Sequence, residues 1–188
     1  MPNTDPRCGA ALALLDSFAP ADQLERAHLA AITDLVRTTA EPFSRSQFAP
    51  GHLTASAFVV DASRSRVLLI LHAKLRRWLQ PGGHIEPDDP NLLAAARREV
   101  QEETGLRALK LLAAPLDVDV HEIPARKSDP GHRHYDVRFL FEAADLLVQP
   151  ADDAVQAQWV ELSAVSGIDS DESVQRAVRK IAQLQRVA

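Results

Sequence analysis

The sequence predicts an α/β domain with a mixed sheet, preceded by an N-terminal helical extension, and three observations predict it. Residues 9 to 38 carry helical periodicity. From His52 onward, short aliphatic or alternating runs replace it, which is the pattern of strands. Two further helical stretches follow, one from Pro90 to Thr104 and one from Asp171 to Arg186. At 188 residues the expected organisation is one compact domain with an appendage: an extension over 1–51 and a main domain over 52–188.

The extension breaks around Ala19-Pro20. In its second half Leu24, Ala27, Ala31, Ile32, Leu35 and Val36 form an amphipathic stripe. Pro42, Pro50 and Gly51 then mark a connecting loop that carries Phe43 and Phe48. The stripe is expected to pack on the main domain; a homodimer element and a wall of the substrate site are the alternatives. The first strand runs from Leu53 to Val60, a polar turn from Asp61 to Arg66, and a second, aliphatic strand from Val67 to Leu71. Trp78-Leu79-Gln80 is a short third segment leading into Pro81-Gly82-Gly83. Lys74, Arg76 and Arg77 before it read as a solvated turn, with phosphate contact as the alternative.

The stretch from Gly82 to Leu106 reads as a tight glycine loop, a capped helix and a glycine stop. Asp89 suits the N-cap, Pro90 the first helical position and Gly105 the left-handed residue that ends a helix. At about 100° per residue, with Glu99 set at zero, Glu103 lies near about +40° and Glu102 near about −60°. The three carboxylates therefore share a face, next to the apolar stripe of Leu92, Leu93, Ala96 and Val100. Like charges at this spacing cost about 0.2–0.5 kcal/mol per pair. Acids in the last turn also oppose the helix macrodipole. A divalent cation reverses both penalties, and magnesium takes oxygen ligands of this kind. A solvated acidic helix end is the bland alternative.

Beyond the helix, Leu116 to Ile123 and His134 to Phe141 alternate, separated by the turn-rich segment Pro124 to Arg133. Tyr135, Val137, Phe139 and Phe141 point one way; His132, His134 and Asp136 point the other. Asp117, Asp119 and His121 share the matching polar face of the first strand. If the two strands pair, that face either meets water or lines a substrate cleft, where a His-x-His-x-Asp set is also a candidate second metal site. Trp159-Val160 end a last strand, preceded by Asp152 and Asp153. The tail helix carries Val174, Val178, Ile181 and Leu184 on one stripe.

The run Arg98-Glu99-Val100-Gln101-Glu102-Glu103-Thr104-Gly105-Leu106 matches, position for position, the second half of the Nudix box, R-E-U-x-E-E-x-G-U with U aliphatic. Gly82-Gly83 and Glu86-Pro87 resemble its glycine loop. Two positions depart from the box. Asp89 stands where the box has glutamate, and eight residues, Pro90 to Arg97, separate it from the arginine where the box has seven. The resemblance implies a Nudix α/β/α sandwich over 52–186 and hydrolysis of a phosphoanhydride in a nucleoside diphosphate linked to another moiety. An ADP-ribose or nucleotide-sugar substrate is favoured over a nucleoside triphosphate. By the same resemblance Glu99, Glu102, Glu103 and the carbonyl of Gly83, or of Gly82, hold magnesium, with manganese as the alternative. Arg98 orients a carboxylate, and the base is Glu102, Glu103 or Asp153. Trp78, His84, His121, His134 and Asp136 are candidate substrate contacts. A nucleotide-binding regulator without hydrolysis is the second class of answer, and an isomerase on the same fold the third.

Composition sets the outer bounds. A net charge of −5 argues against duplex nucleic acid held by bulk electrostatics. The single cysteine, Cys8, forms no internal disulfide and fits a reducing cytoplasm. Met1 to Arg7 lacks a signal-peptide pattern, and Ala10 to Leu15 is too short to span a bilayer, so no membrane partner is expected.

Overall fold

In the computed structural model, which describes residues 5–126 and 129–187, the chain opens with helices α1 (Arg7–Asp16) and α2 (Gln23–Thr38). Residues 1–4, where the leader expectation begins, and 127–128 of the turn-rich segment lie outside the described residues. The two helices part at Pro20 because proline has no N–H to continue the first. Asp22 then caps the second, accepting the Glu25 backbone N–H at 2.8 Å. Among the described residues no helix is long and apolar enough to cross a membrane.

Strands β1 (Gly51–Val60), β2 (Arg66–His72), β3 (Trp78–Leu79) and β4 (Gly82–His84) precede helix α3 (Leu92–Thr104). Strands β5 (Leu109–Ile123), β6 (His132–Ala143) and β7 (Ala154–Glu161) follow, then a 3₁₀ turn (Leu162–Gly167) and helix α4 (Glu172–Val187). The sheet order is β3-β2-β1-β6-β5, with β4 paired to β1 and β7 to β2. β1 and β6 run parallel, and the remaining pairings are antiparallel. The glycine segment expected as a loop is thus a short strand. β5 begins seven residues before the alternating run at Leu116, because irregularities between Leu111 and Asp117 break the alternation there.

Helices cover both faces of this mixed sheet. On one face Leu53, Ala55, Ala57 and Val59 of β1, with Tyr135, Val137, Phe139 and Phe141 of β6, pack against α1, α2 and α3. On the other, Phe58, Val60, Leu69 and Leu140 meet Val174, Ala177, Val178 and Ile181 of α4. Period-two alternation in the strands places the two sets on opposite sides. Leu15 of α1 and Ile32, Leu35 and Val36 of α2 belong to the same buried cluster as Val100 of α3. The C-terminal part of the extension's apolar stripe is therefore spent on the main core, at about 1.5–3 kcal/mol for each large side chain so buried, whereas Leu24 at its start is exposed.

Candidate active site

Helix α3 starts at Leu92, not at Pro90. Asn91, with extended backbone, is its N-cap and accepts the Ala94 N–H at 2.9 Å. Asp89 was the expected cap, but its buried carboxylate is drawn to Arg98. Arg98 Nη2 donates to Asp89 Oδ2 at 2.8 Å and Arg98 Nε donates at 3.2 Å, while the Glu86 N–H donates to Oδ2 at 2.8 Å. A charge-assisted fork of this kind is stronger than a neutral cap bond. At the other end Gly105 takes the left-handed conformation (φ 76°) and its N–H closes on the Gln101 carbonyl at 2.9 Å.

The helix carries two of its three acids, Glu99 and Glu103, to β4. The Gly82 N–H donates to Glu103 Oε2 at 2.9 Å, and Glu103 is 3% exposed. Glu99 lies against Gly83 so closely that a Cβ there would stand 2.8 Å from its Oε1. Glu102 is the outermost of the three. Arg98 Nη1 joins them, donating to Glu99 Oε1 at 2.9 Å and to Glu102 Oε2 at 2.7 Å. Burial pushes the Glu99 carboxyl up to about 7, against the lowering effect of Arg98. Burial likewise raises Glu103 to about 8, with the Gly82 bond opposing it and the charges of Glu99, Asp153 and Asp152 adding to it. Asp153 therefore belongs to the same electrostatic neighbourhood. Its side chain faces solvent and pairs with Lys74 Nζ at 3.0 Å.

The other candidates divide between two places. His84 and His134 sit in a group of histidines with His52 and His132, where ring centroids of adjacent pairs stand 4.9 to 5.2 Å apart. His121 touches the rim of that group, 5.5 Å from His134, and its Nδ1 lies 3.1 Å from Asp119 Oδ2. Burial and the neighbouring rings lower His84 to about 4 and His134 to about 2, so both rings are neutral at pH 7. Asp136 is turned inward. Thr54 Oγ1, Ser56 Oγ and Arg138 Nε donate to its carboxylate at 3.0, 2.7 and 2.8 Å, so it braces the sheet. The acids expected to face water or a cleft, Asp117 and Asp119, are likewise buried, paired with Arg138 and with Arg176 of α4. Trp78 packs against the α4-side cluster, the structural alternative to base stacking.

The family model of the NUDIX domain matches residues 50–182. The chain belongs to the Nudix family of pyrophosphohydrolases. A curated RNA pyrophosphohydrolase of Bartonella tribocorum is 25% identical over 120 residues, 55% of this chain and 69% of that protein. Among solved structures, a C. elegans Ap4A hydrolase superposes with a TM-score of 0.55 at 18% identity, covering 72% of this chain and 98% of that one. The NUDIX domain of Shewanella oneidensis NrtR, complexed with ADP ribose, superposes with a TM-score of 0.54 at 17% identity, covering 72% and 88%. Likeness at these identities speaks for the Nudix fold.

Within the Nudix box the two departures offset each other. Asp89 is one methylene shorter than glutamate and the approach to Arg98 is one residue longer, yet the carboxylate still grips the guanidinium. Reasoning from sequence missed His52, whose signal was its alternation with Thr54 and Ser56 on one strand face. It also missed Arg138, which showed no signal because a lone arginine in a strand normally reaches solvent.

Proposed function

We propose that this Nudix protein hydrolyses a phosphoanhydride in a nucleoside diphosphate linked to another moiety, with ADP-ribose or a nucleotide sugar as the substrate class, in a divalent-metal-dependent reaction. The observation that carries this reading is the convergence of Glu99 and Glu103 on the glycine strand, both withdrawn from water, with Glu102 tied beside Glu99 by Arg98. The residues present fit a hard cation: all donors are oxygens, and a side chain at Gly83 would fill the space in which Glu99 rests. Glu99 and Glu103, with Glu102 and the Gly83 carbonyl, would hold magnesium or manganese. Such an ion neutralises charge on the phosphate oxygens and favours a nucleophilic water.

The protein's own contribution is positioning. Arg98, fixed by Asp89 and by the His84 carbonyl at 2.8 Å, holds Glu99 and Glu102 in place and is itself too engaged to bind substrate. The Gly82 N–H orients the Glu103 carboxylate. Glu102, Glu103 and Asp153 are the three carboxylates available to take a proton from the attacking water, and glutamine or asparagine substitutions at each position sort them. Support for the substrate class comes from the structural relative complexed with ADP ribose, and support for the type of bond cleaved from the curated RNA pyrophosphohydrolase relative. The acidic overall charge and the single buried cysteine agree with a small nucleotide substrate and a cytoplasmic setting. The test is a phosphate- and AMP-release screen over nucleotide sugars, dinucleotides and nucleoside triphosphates, with and without chelator. Turnover that chelator abolishes is the expected result. Nucleotide binding without turnover would instead favour a regulator.

A further inference from the structure

The polar face at the His52 end of the sheet supports a second kind of site, independent of the acidic one. His52 of β1 and His134 of β6 are register partners in the parallel pair, and His132 lies two residues before His134 on the same face. Neighbouring strands are about 4.7–4.9 Å apart, so three imidazoles held this way converge by backbone geometry alone. The ring centroids of His52–His134, His52–His132 and His132–His134 are 4.9, 5.0 and 5.2 Å apart. One nitrogen from each of the three lies within 4.8 Å of the others. Two nitrogens on one tetrahedral zinc stand about 3.3 Å apart, so small ring rotations close the set.

Tautomers strengthen the case. His52 Nδ1 lies 3.1 Å from the Gln47 carbonyl oxygen and His132 Nδ1 lies 2.9 Å from that of Pro130. A carbonyl only accepts, so each Nδ1 carries the proton and each Nε2 carries a lone pair. His52 Nε2 is buried and, among the described residues, has no hydrogen-bond partner. A backbone carbonyl fixing the far nitrogen is the arrangement that prepares a histidine for a metal. Gln80 Oε1 and Ser170 Oγ are the other buried side-chain atoms without a partner among the described residues; buried polar atoms as a rule find one, and His52 Nε2 is the orphan that faces two further imidazoles.

We infer that His52, His132 and His134 form a binding site for a borderline-soft divalent transition-metal ion, zinc being the type case, distinct from the oxygen-lined site of Glu99, Glu102 and Glu103. Imidazole nitrogen suits zinc, cobalt and nickel and not magnesium. The acidic site lies on the other side of β4: Gly83 faces Glu99, whereas the next residue, His84, turns toward the histidines, 5.1 Å from His52. Asp136, the third member of the His-x-His-x-Asp set, is engaged by Thr54, Ser56 and Arg138 and lies outside the group whose ligand atoms converge. His52, from the adjacent strand, takes that place.

The test uses chelator-stripped full-length protein in excess magnesium, titrated with zinc by calorimetry and with cobalt by visible absorption. The expected result is one ion per chain with a nitrogen-ligated cobalt spectrum. Binding should be weakened at least about 10-fold by His134→Gln and by His52→Gln, and unchanged by Glu102→Gln. Zinc should also raise the melting temperature of the wild type and not that of His134→Gln. If buried His52→Gln does not fold, the half-buried His134→Gln and the wild-type cobalt spectrum decide. Absence of zinc binding by the wild type, a cobalt spectrum without nitrogen ligands, or binding that survives His134→Gln and is lost in Glu102→Gln would overturn the assignment.

Discussion

At the residue scale, the proposed function rests on where burial places carboxylates. Glu103 is the most enclosed of the helix acids and is held by one backbone N–H. Glu103→Gln keeps the size of the side chain and removes its charge. The expected outcome is a drop of about 10²–10⁴ in kcat, the range for losing a positioned acid–base or charged group, with melting temperature maintained or raised. Steady-state kinetics beside a thermal scan checks both halves. Gly83→Ala is a steric counterpart: its Cβ would meet Glu99 Oε1 at 2.8 Å. The carboxylate must move, and a displacement near 1 Å at a reacting centre costs about 10²-fold, so turnover should fall by that order while the circular dichroism spectrum is unchanged. The three glutamates were legible in sequence because helical spacing alone puts them on one face. The job of Asp89 was not. Asp88, Asp89 and Asn91 are all plausible caps, and only the folded position of Arg98 decides which carboxylate it captures.

At the scale of elements, the sheet's polar face is an ion network and not a wet surface. Arg138, fully buried, bridges Asp117, Asp119 and Asp136, and α4 adds Arg176 and Lys180, the latter also reaching Glu25 of α2. Edge strand β5 is thereby tied to helices on both sides. Arg138→Met strands these carboxylates and should cost about 3–5 kcal/mol, as breaking a buried ion cluster does; urea denaturation measures it. The arginine partners hold the Asp117 carboxyl down at about 2, against burial, and Asp119 is lowered as well, by its hydrogen bond with His121 and then by Arg138 and Arg176. A depressed carboxylate contributes stability that is complete above its unfolded value near 4 and lost as pH falls through the folded one. The melting temperature should therefore drop between about pH 4 and pH 2, and Asp117→Asn should flatten that slope relative to its own lower plateau. The strands themselves could be read from alternation. That reading failed where the backbone departs from it: at the Leu111–Asp117 irregularities of β5, and at Gly82–His84, whose glycines signal a turn although they pair with β1.

At the scale of the molecule, the N-terminal helices and the Nudix domain share one core, so the extension outside the family motif is structural to it. Ile32 is wholly buried between them. Ile32→Ala should destabilise the whole domain by about 2–5 kcal/mol in a single cooperative transition. A separate early transition would show instead that the extension melts alone. The layered fold and the shared face of His132 and His134 were legible from the order of patterns, but the place of His52 beside them was not, because it depends on the parallel register of β1 and β6, strands more than seventy residues apart in the chain. We propose that the Glu99–Glu102–Glu103 face makes this Nudix protein a metal-dependent phosphoanhydride hydrolase. The measurement that tests it most directly is AMP release from ADP-ribose and nucleotide sugars by the purified protein in magnesium, repeated with chelator and with Glu102→Gln. The account predicts turnover that chelator abolishes and that the substitution lowers at least about 10²-fold. Turnover indifferent to both, or tight nucleotide binding with no turnover across the panel, would contradict it.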